Sequence, residues 1–482
     1  MARIIYWNIN NFSRPKIQVP APPAAALEAT ARLNYIVQNV LRGPVGGPIP
    51  DIIIVVEVYS RVREVGAEGT VLGSTGNAGQ GVRLLLAQIR ADAVLGAGGS
   101  NWCVVPPINL GTMGQREAVA VYYNATTLQF TGPNLIYLLY GAVPQSQPVN
   151  AATHAAIANY PPNWVAEMPA LGRTTNFMVG GVATPIPENQ LAGEWQYFMP
   201  GTVRPIPSNP APWENPPNRI QFPNEGCRAP FYTRFLETGG AGRTLNIFAV
   251  HTSPSSARQA VLRMQNIQDM AAVAGGQVNV VLGDFNVDTF GGDRGAYNWM
   301  MPPGGIYTCE LDPRVAHAGA VVPARKPYCM THLLPTVHAT PYNNTGMGVP
   351  TDPQHNVYPR YGYMGSSWPA INDSGAIDNI FTAYGAGAGA SANITVVNTI
   401  TGTPYNWLGG ATPPGVTAEL TGGLPYASTL VPPNQLVTSP PANAVAGGID
   451  SPNLFHEGVF QGWPNFGKIH STSDHLPVMI DI

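Results

Sequence analysis

Lysine is almost missing from this chain. Lys16, Lys326 and Lys468 are the only three among 24 basic residues, and charged residues together make up 11% of the sequence, less than half the usual share. With 27 acidic residues the net charge is −3. That excludes a basic coat that would hold polyanions through its overall field. A nucleic-acid ligand would have to be gripped by a local cluster of arginines. Cysteine is sparse too. Cys103, Cys227, Cys309 and Cys329 are too few to scaffold 482 residues, and spacing does not select among their pairings. Cys309 and Cys329 with His332 and His338 fit no familiar zinc-finger spacing. No run reaches the roughly 18 apolar residues of a membrane-spanning helix. The N-terminus passes from Met1 and Arg3 straight into the strand-like IIYWNI, with no signal-peptide pattern. The expectation is a soluble protein, secreted or exported with the aid of a leader that this sequence does not show.

What is present is an ordinary core. Apolar residues reach 44%, as in globular proteins. The 49 prolines and 53 glycines are many but fall short of the level that signals disorder. RIIYWNI, DIIIVVEV, EAVAVYY, TLNIFAVHT, VNVVLGD, AIDNIFT and LPVMIDI read as strands. Most are continuous apolar runs, as expected of strands covered on both faces. Three helices lie among them. The first follows Pro22-Pro23, carries the stripe Leu33, Ile36, Val37, Val40 and Leu41, and stops at Arg42-Gly43-Pro44. The second covers GVRLLLAQIRA, and the third is expected from near Ser255 to Ala274 with Val261, Met264, Ile267 and Met270 facing in. This mixture predicts an α+β layered domain, two packed sheets flanked by helices. The stretches at about 125–226, 290–373 and 384–468 lack periodicity, and loops that long are usually functional. They interrupt the strand-bearing core, so the expectation is a single domain over 1–482 with three insertions.

The strands share a feature at their ends. Asn8 closes the first, Glu57 the second, and Arg116-Glu117 opens EAVAVYY. His251 ends one strand, and VVLGDFNVD brings Asp284 and Asn286 to the end of another. By strand alternation that pair shares a face, although Gly, Asp and Asn also favour a plain turn. Asp378 sits in AIDNIF, and Ser473-Asp474-His475 precede the last strand. Carboxylates gathered in a cleft repel one another and call for a cation. Oxygen ligands with waters remaining suit Mg²⁺.

In this order, WNINNF, DIIIVVEV, REAVAVYY, VHTSP, GDFNVD, AIDNIF and STSDHLPV resemble the motifs of the endonuclease/exonuclease/phosphatase superfamily. Within it they are most similar to deoxyribonuclease I, VHTSPSSARQAV and CRAPFYTRF especially. The resemblance covers about half the chain and implies a four-layer α/β/β/α sandwich of two mixed sheets, with its cleft at one edge. It also implies a metal-dependent phosphodiester hydrolase. His475 paired with Asp378 and His251 paired with Glu117 would serve as general base and general acid, and the resemblance leaves open which does which. Glu57 would be the main Mg²⁺ ligand, with Asn8 and Asp474 beside it and Mn²⁺ or Ca²⁺ as substitutes. Asp284, Asn286 and Arg228 would position the phosphate, Phe285 would pack beneath that pair, and the partner would be nucleic acid, DNA first.

The chain also departs from deoxyribonuclease I. Asn10 and Tyr59 stand where that enzyme carries arginines for the minor groove, although Arg61 and Arg63 follow, and Gln115 replaces a stacking tyrosine. Thr289 and Gly375 replace a half-cystine pair. A phosphoinositide phosphatase or sphingomyelinase-type phosphodiesterase is therefore the alternative. A second alternative is a non-catalytic module whose insertions bind a protein partner.

Overall fold

The computed structural model describes residues 1–20, 22–43, 47–59, 71–111, 116–138, 162–167, 176–179, 182–185, 203–205, 228–240, 242–254, 256–265, 267–287, 292–311, 331–332, 377–397, 404–406 and 471–482. The strands among them are β1 (Arg3–Phe12), β2 (Ile52–Tyr59), β3 (Trp102–Val105), β4 (Asn109–Leu110), β5 (Glu117–Asn124) and β6 (Leu128–Leu138). Next come β7 (Asn176–Val179), β8 (Val182–Pro185), β9 (Val203–Pro205), β10 (Phe231–Glu237), β11 (Thr244–His251) and β12 (Gln277–Asp284). The last are β13 (Thr308–Cys309), β14 (Asp378–Tyr384), β15 (Ala392–Val397), β16 (Pro404–Asn406) and β17 (Val478–Asp481).

One large sheet has the order β16-β15-β17-β1-β2-β5-β3, with β4 also on β5; the other large sheet runs β13-β14-β12-β11-β10-β6-β9, and β7 and β8 pair separately as a two-stranded sheet. Both are mixed, since β1–β2 and β11–β12 are parallel while β2–β5 and β12–β14 are antiparallel. The sheets pack face to face, β1 against β12 and β2 against β11. The apolar runs explain why: Ile52 to Val56 are wholly buried in sequence, as are Val278 and Val280 to Leu282. Strands covered on both faces have no polar side to show.

Helices form the outer layers. Asn77–Ala91 covers the first sheet through Val82, Leu85, Leu86 and Ile89, and the Tyr122 hydroxyl donates to its Val82 carbonyl at 3.1 Å. Ala257–Met264 lies on the second side beside the short 3₁₀ turn Gly292–Tyr297. The expected four-layer sandwich is the fold.

Several details differ from expectation. The first helix is regular only over Pro23–Asn34 and continues as a π-helix over Tyr35–Leu41, with Gly43 at φ +71° ending it. The third is not one helix: after Met264 the chain turns extended at Ile267 and resumes only as Gln268–Ala271. The break lets both Ile267 and Met270 reach the core. All three stretches read as insertions contain sheet strands, β13 in the second of them pairing with β14. β6 pairs with β10, and β15 and β16 extend the first sheet beyond β17. Most of the remainder of those stretches lies outside the described residues.

Candidate active site

Register alone brings the strand-end residues together. In the second sheet His251 pairs with Asp284, and Asp284 with Asp378. In the first, parallel β1 and β2 deliver Asn8 and Glu57 at their C-terminal ends, while antiparallel β5 starts at Glu117 opposite Tyr59. His475 sits just before β17, which runs antiparallel to β1. All therefore lie at the same end of the sandwich.

The two imidazoles are held alike. His251 Nδ1 is 2.6 Å from Glu117 Oε1, and His475 Nδ1 is 2.7 Å from Asp378 Oδ2. Each pair joins one sheet to the other. Their Nε2 atoms turn inward: that of His251 is 3.5 Å and that of His475 3.7 Å from Asp284 Oδ2. Glu57 Oε1 lies 3.4 Å from His251 Nε2. The His475 pair is further braced, because Thr331 Oγ1 and the Tyr6 hydroxyl donate to Asp378 at 2.6 and 3.0 Å. Trp7 Nε1 donates to the His475 carbonyl at 2.7 Å.

Electrostatics follow from this crowding. Burial pulls the His475 imidazole down, but Asp378, Asp284 and Asp474 outweigh it and push its pKa up to about 10. His251 moves up for the same reason, with Glu117 overcoming burial. Burial and the neighbouring Asp378 raise the Asp284 carboxyl, against the two imidazoles. Glu57 is held below its ordinary value: burial opposes ionisation, but His251, the Asn11 amide, His475 and Asn8 prevail.

The GDFN stretch combines both of its sequence readings. β12 ends at Asp284, so strand alternation does not carry Asn286. Asn286 adopts φ +48°, its N–H donates to Asp284 Oδ1 at 2.9 Å, and its side-chain amide donates to the Thr252 carbonyl at 2.9 Å. It is a turn, and the turn aims the carboxylate. Phe285 is buried beneath, edge-on to Tyr297 and Phe381.

The residues fit a hard cation. Asn8 Nδ2 donates to Glu57 Oε1 at 3.2 Å and to Asp284 Oδ2 at 3.1 Å, while Asn8 Oδ1 is buried with no hydrogen-bond partner among the described residues. An orphaned carbonyl oxygen among carboxylates is a ready ligand. Glu57 reaches this place through φ +56°, and the Asn11 N–H donates to its Oε2 at 3.0 Å. Asp474 stands apart from this group. It faces His332 and His475, and Asn10 Nδ2 donates to its Oδ1 at 3.2 Å.

A cleft of about 360 Å³ opens beside these groups, lined by Asn10, Tyr59, Arg116, Arg228 and Ser253 among others. Arg228 Nη1 lies 3.1 Å from His251 Nδ1 and 3.5 Å from Glu117 Oε1. His332 was not anticipated at the site. Its ring stacks on His475 with centroids 4.7 Å apart, and only its mention among zinc-like spacings hinted at it. Cys309 is remote from it in role, buried and accepting from Asn379 Nδ2 at 3.3 Å. Cys103 is a free, buried thiol. Arg61, Arg63, Gln115, Thr289, His338, Gly375, Cys227 and Cys329 lie outside the described residues.

No protein-family model matches the sequence, and comparison with curated proteins gives no match. Among solved structures the chain is similar to Danio rerio (D. rerio) TDP2 complexed with single strand DNA product, at 7% identity and TM-score 0.36, covering 99% of this chain and 97% of that one. It is also similar to a mannosyl-6-phosphatase from Bacteroides thetaiotaomicron, at 10% identity and TM-score 0.35, covering 100% and 99%. A third is an endonuclease/exonuclease/phosphatase family protein from Leptotrichia buccalis, at 9% identity and TM-score 0.35, covering 100% and 99%. These similarities carry nothing about activity, which must be argued from the site.

Proposed function

We propose that this chain, with the endonuclease/exonuclease/phosphatase fold as its frame, is a divalent-cation-dependent phosphodiester hydrolase. More narrowly, it is a deoxyribonuclease I-like endonuclease that cuts DNA to leave 5′-phosphate ends. One observation carries the reading. Two imidazoles, each fixed at Nδ1 by its own carboxylate, present Nε2 to one Asp284 oxygen from 3.5 and 3.7 Å.

Hydrolysis of a phosphodiester needs one proton taken from water and one given to the leaving oxygen. His475 takes the first through Nε2, while Asp378 holds its Nδ1 and stabilises the imidazolium that results. His251 gives the second to the 3′-oxygen, backed by Glu117. Asp284 orients the water between them, and Asn286 keeps Asp284 aimed. Glu57 and Asn8 would hold Mg²⁺, and Asp474 stands apart from them, toward His475. When bound, the ion neutralises charge on the phosphoryl oxygens. Arg228 and Arg116 form the local arginine cluster that the net charge demands of a nucleic-acid binder. The unit is a single domain over 1–482, soluble and exported, whose insertions serve substrate choice or bind a protein partner.

Tyr59 and Asn10 in the cleft wall favour the second reading, a phosphoinositide phosphatase or sphingomyelinase-type phosphodiesterase, because neither is the arginine a DNA groove would meet. Nicking of supercoiled plasmid with Mg²⁺, with EDTA, and by His475→Ala separates the two. The expected result is nicking that needs Mg²⁺ and vanishes in the variant. A folded protein that nicks nothing over a wide concentration range ends the DNA reading and moves the assay to RNA and the two lipids. Silence there as well leaves the non-catalytic module.

A further inference from the structure

Tyr59 is the one aromatic among the large apolar side chains that the described residues leave exposed, at 38%. It closes β2 two residues past Glu57 and lines the cleft together with Arg116 and Arg228. Register fixes its neighbours. Tyr59 pairs with Glu117 across β2 and β5, and residues directly opposite in such a pair carry their side chains on one face. Glu117 Oε1 holds His251 at 2.6 Å, and Arg228 Nη1 lies 3.5 Å from the same oxygen. His251 lines this cleft, whereas His475 and Asp378 do not. The ring thus stands on the His251 side of the site, in one cleft with two guanidiniums.

That combination selects among phosphodiesters. In a duplex each base is covered by its neighbours and leaves this ring no face to meet, and duplex affinity is built from many phosphate contacts. The described residues of the cleft supply Arg116 and Arg228 for that purpose, on a chain with three lysines. An unpaired strand asks for less charge. Every base has a π face, and stacking one on an aromatic side chain is worth about 5- to 150-fold in affinity. The space fits as well. At about 360 Å³ the cleft lies at the small end of ligand sites, with room for one nucleotide-sized group. The saturated ring of a phosphoinositide has no π face to offer.

We propose that Tyr59 is the specificity-determining residue of this site: it stacks on the unpaired base of the nucleotide that departs with the 3′-oxygen, and the substrate class is single-stranded nucleic acid. Arg116 and Arg228 take backbone phosphates beside that base. The proposal rests on the nuclease reading, and its placing of the base on the leaving side rests on His251 as the acid. Supercoiled plasmid remains a substrate, because negative supercoiling favours opening of the duplex.

The test is fluorescence anisotropy of the full chain in EDTA. Its probes are a labelled single-stranded oligodeoxynucleotide, the same sequence as a duplex, and an abasic strand that keeps every phosphate. The wild type should bind the strand about tenfold or more tighter than the duplex or the abasic strand. Tyr59→Ala should lose about 5- to 150-fold on the strand and nothing further on the abasic one. Tyr59→Phe should recover the loss, since stacking needs the ring and not the hydroxyl. Salt dependence should be the same in Tyr59→Ala as in the wild type, because the ring carries no charge. In Mg²⁺-supported cutting of the strand, the Tyr59→Ala loss should fall on KM and not on kcat. Equal binding of strand and duplex by the wild type overturns the proposal, and so does a folded Tyr59→Ala that binds the strand as the wild type does. Tyr59-dependent binding of sphingomyelin vesicles, with none of the strand, overturns it in favour of a lipid substrate. Strand binding that depends on Tyr59, without cutting of any nucleic acid, upholds the stacking subsite and ends the nuclease reading alone. Cutting of the strand that is indifferent to Tyr59 does the reverse.

Discussion

A carboxylate on Nδ1 of each histidine does more than point the ring. It also sets the charge of the imidazole. In the metal-free chain His475 has its pKa pushed up to about 10, because Asp378, Asp284 and Asp474 together outweigh burial. A folded-state pKa above the unfolded one means that the charged imidazole stabilises the fold. That contribution is complete below about pH 6.5, the unfolded value, and is lost as pH rises through about 10. The same charge would silence a general base near neutrality, so His475 must lose that proton before it can act; a cation held by Glu57 and Asn8 would supply positive charge that favours the neutral imidazole. Replacing Asp378 with Asn removes the nearest of the three negative charges. We expect the His475 ring protons, followed by NMR in EDTA, to titrate near 10 in the wild type and well below that in Asp378→Asn. With Mg²⁺ present, kcat should fall by about 10²–10⁴-fold in the variant, the range that general acid–base groups command. An unchanged titration would remove Asp378 as the partner that sets the state of His475.

At the scale of elements, the parallel pair β11–β12 is the hinge of the site, since its last rung is His251 opposite Asp284. One rung earlier Val250 meets Gly283, where φ is +152° and a Cβ would sit 1.9 Å from the Val250 carbonyl oxygen. Gly283→Ala must therefore part the two strands where the catalytic rung follows. The expected cost is about 3 kcal/mol, toward the upper end for overpacking, read by denaturant unfolding, with activity lost even where the variant remains folded. Wild-type stability and activity in Gly283→Ala would show that the close approach is not required. The same element shows why parts of the site were legible in sequence. Uninterrupted valines and isoleucines with a polar residue at one end mark a doubly covered strand, and those polar ends gather at the candidate site. β6 was not legible, because Gly132-Pro133 in its middle reads as turn punctuation. The third helix misled in the opposite way, since helical periodicity survives across a break that keeps Ile267 and Met270 inward. His332 was hidden for a third reason: nothing local in an aperiodic stretch tells that it will lie on a histidine 143 positions later, and only the tertiary bridge does that.

At the scale of the whole molecule, the site is a seam between the two sheets. Glu117 on the first sheet holds His251 on the second, and Asp378 on the second holds His475 beside the first. Asn8 bridges Glu57 and Asp284 across the same gap. The candidate Mg²⁺ pocket thus draws on β1, β2 and β12 together, and a cation there should clamp the sandwich and not merely occupy it. Burial opposes ionisation of both Glu57 and Asp284; it prevails with Asp378 at Asp284, while the imidazoles, Asn8 and the Asn11 N–H prevail at Glu57. A ligand that binds only the folded chain stabilises it by about 2.7 kcal/mol at roughly 100 times its Kd. Mg²⁺ should accordingly raise the Tm of the wild type by a few degrees over EDTA, in proportion to the logarithm of its concentration. Because His251, His475, Asn8 and the Asn11 N–H hold Glu57 ionised below its ordinary value, its charge stabilises the fold near neutrality; the Tm of Glu57→Gln in EDTA should fall somewhat below that of the wild type, and its response to Mg²⁺ should disappear. If Mg²⁺ moves both proteins equally, the ion acts by general screening, and the seam is held by its histidine–carboxylate pairs alone.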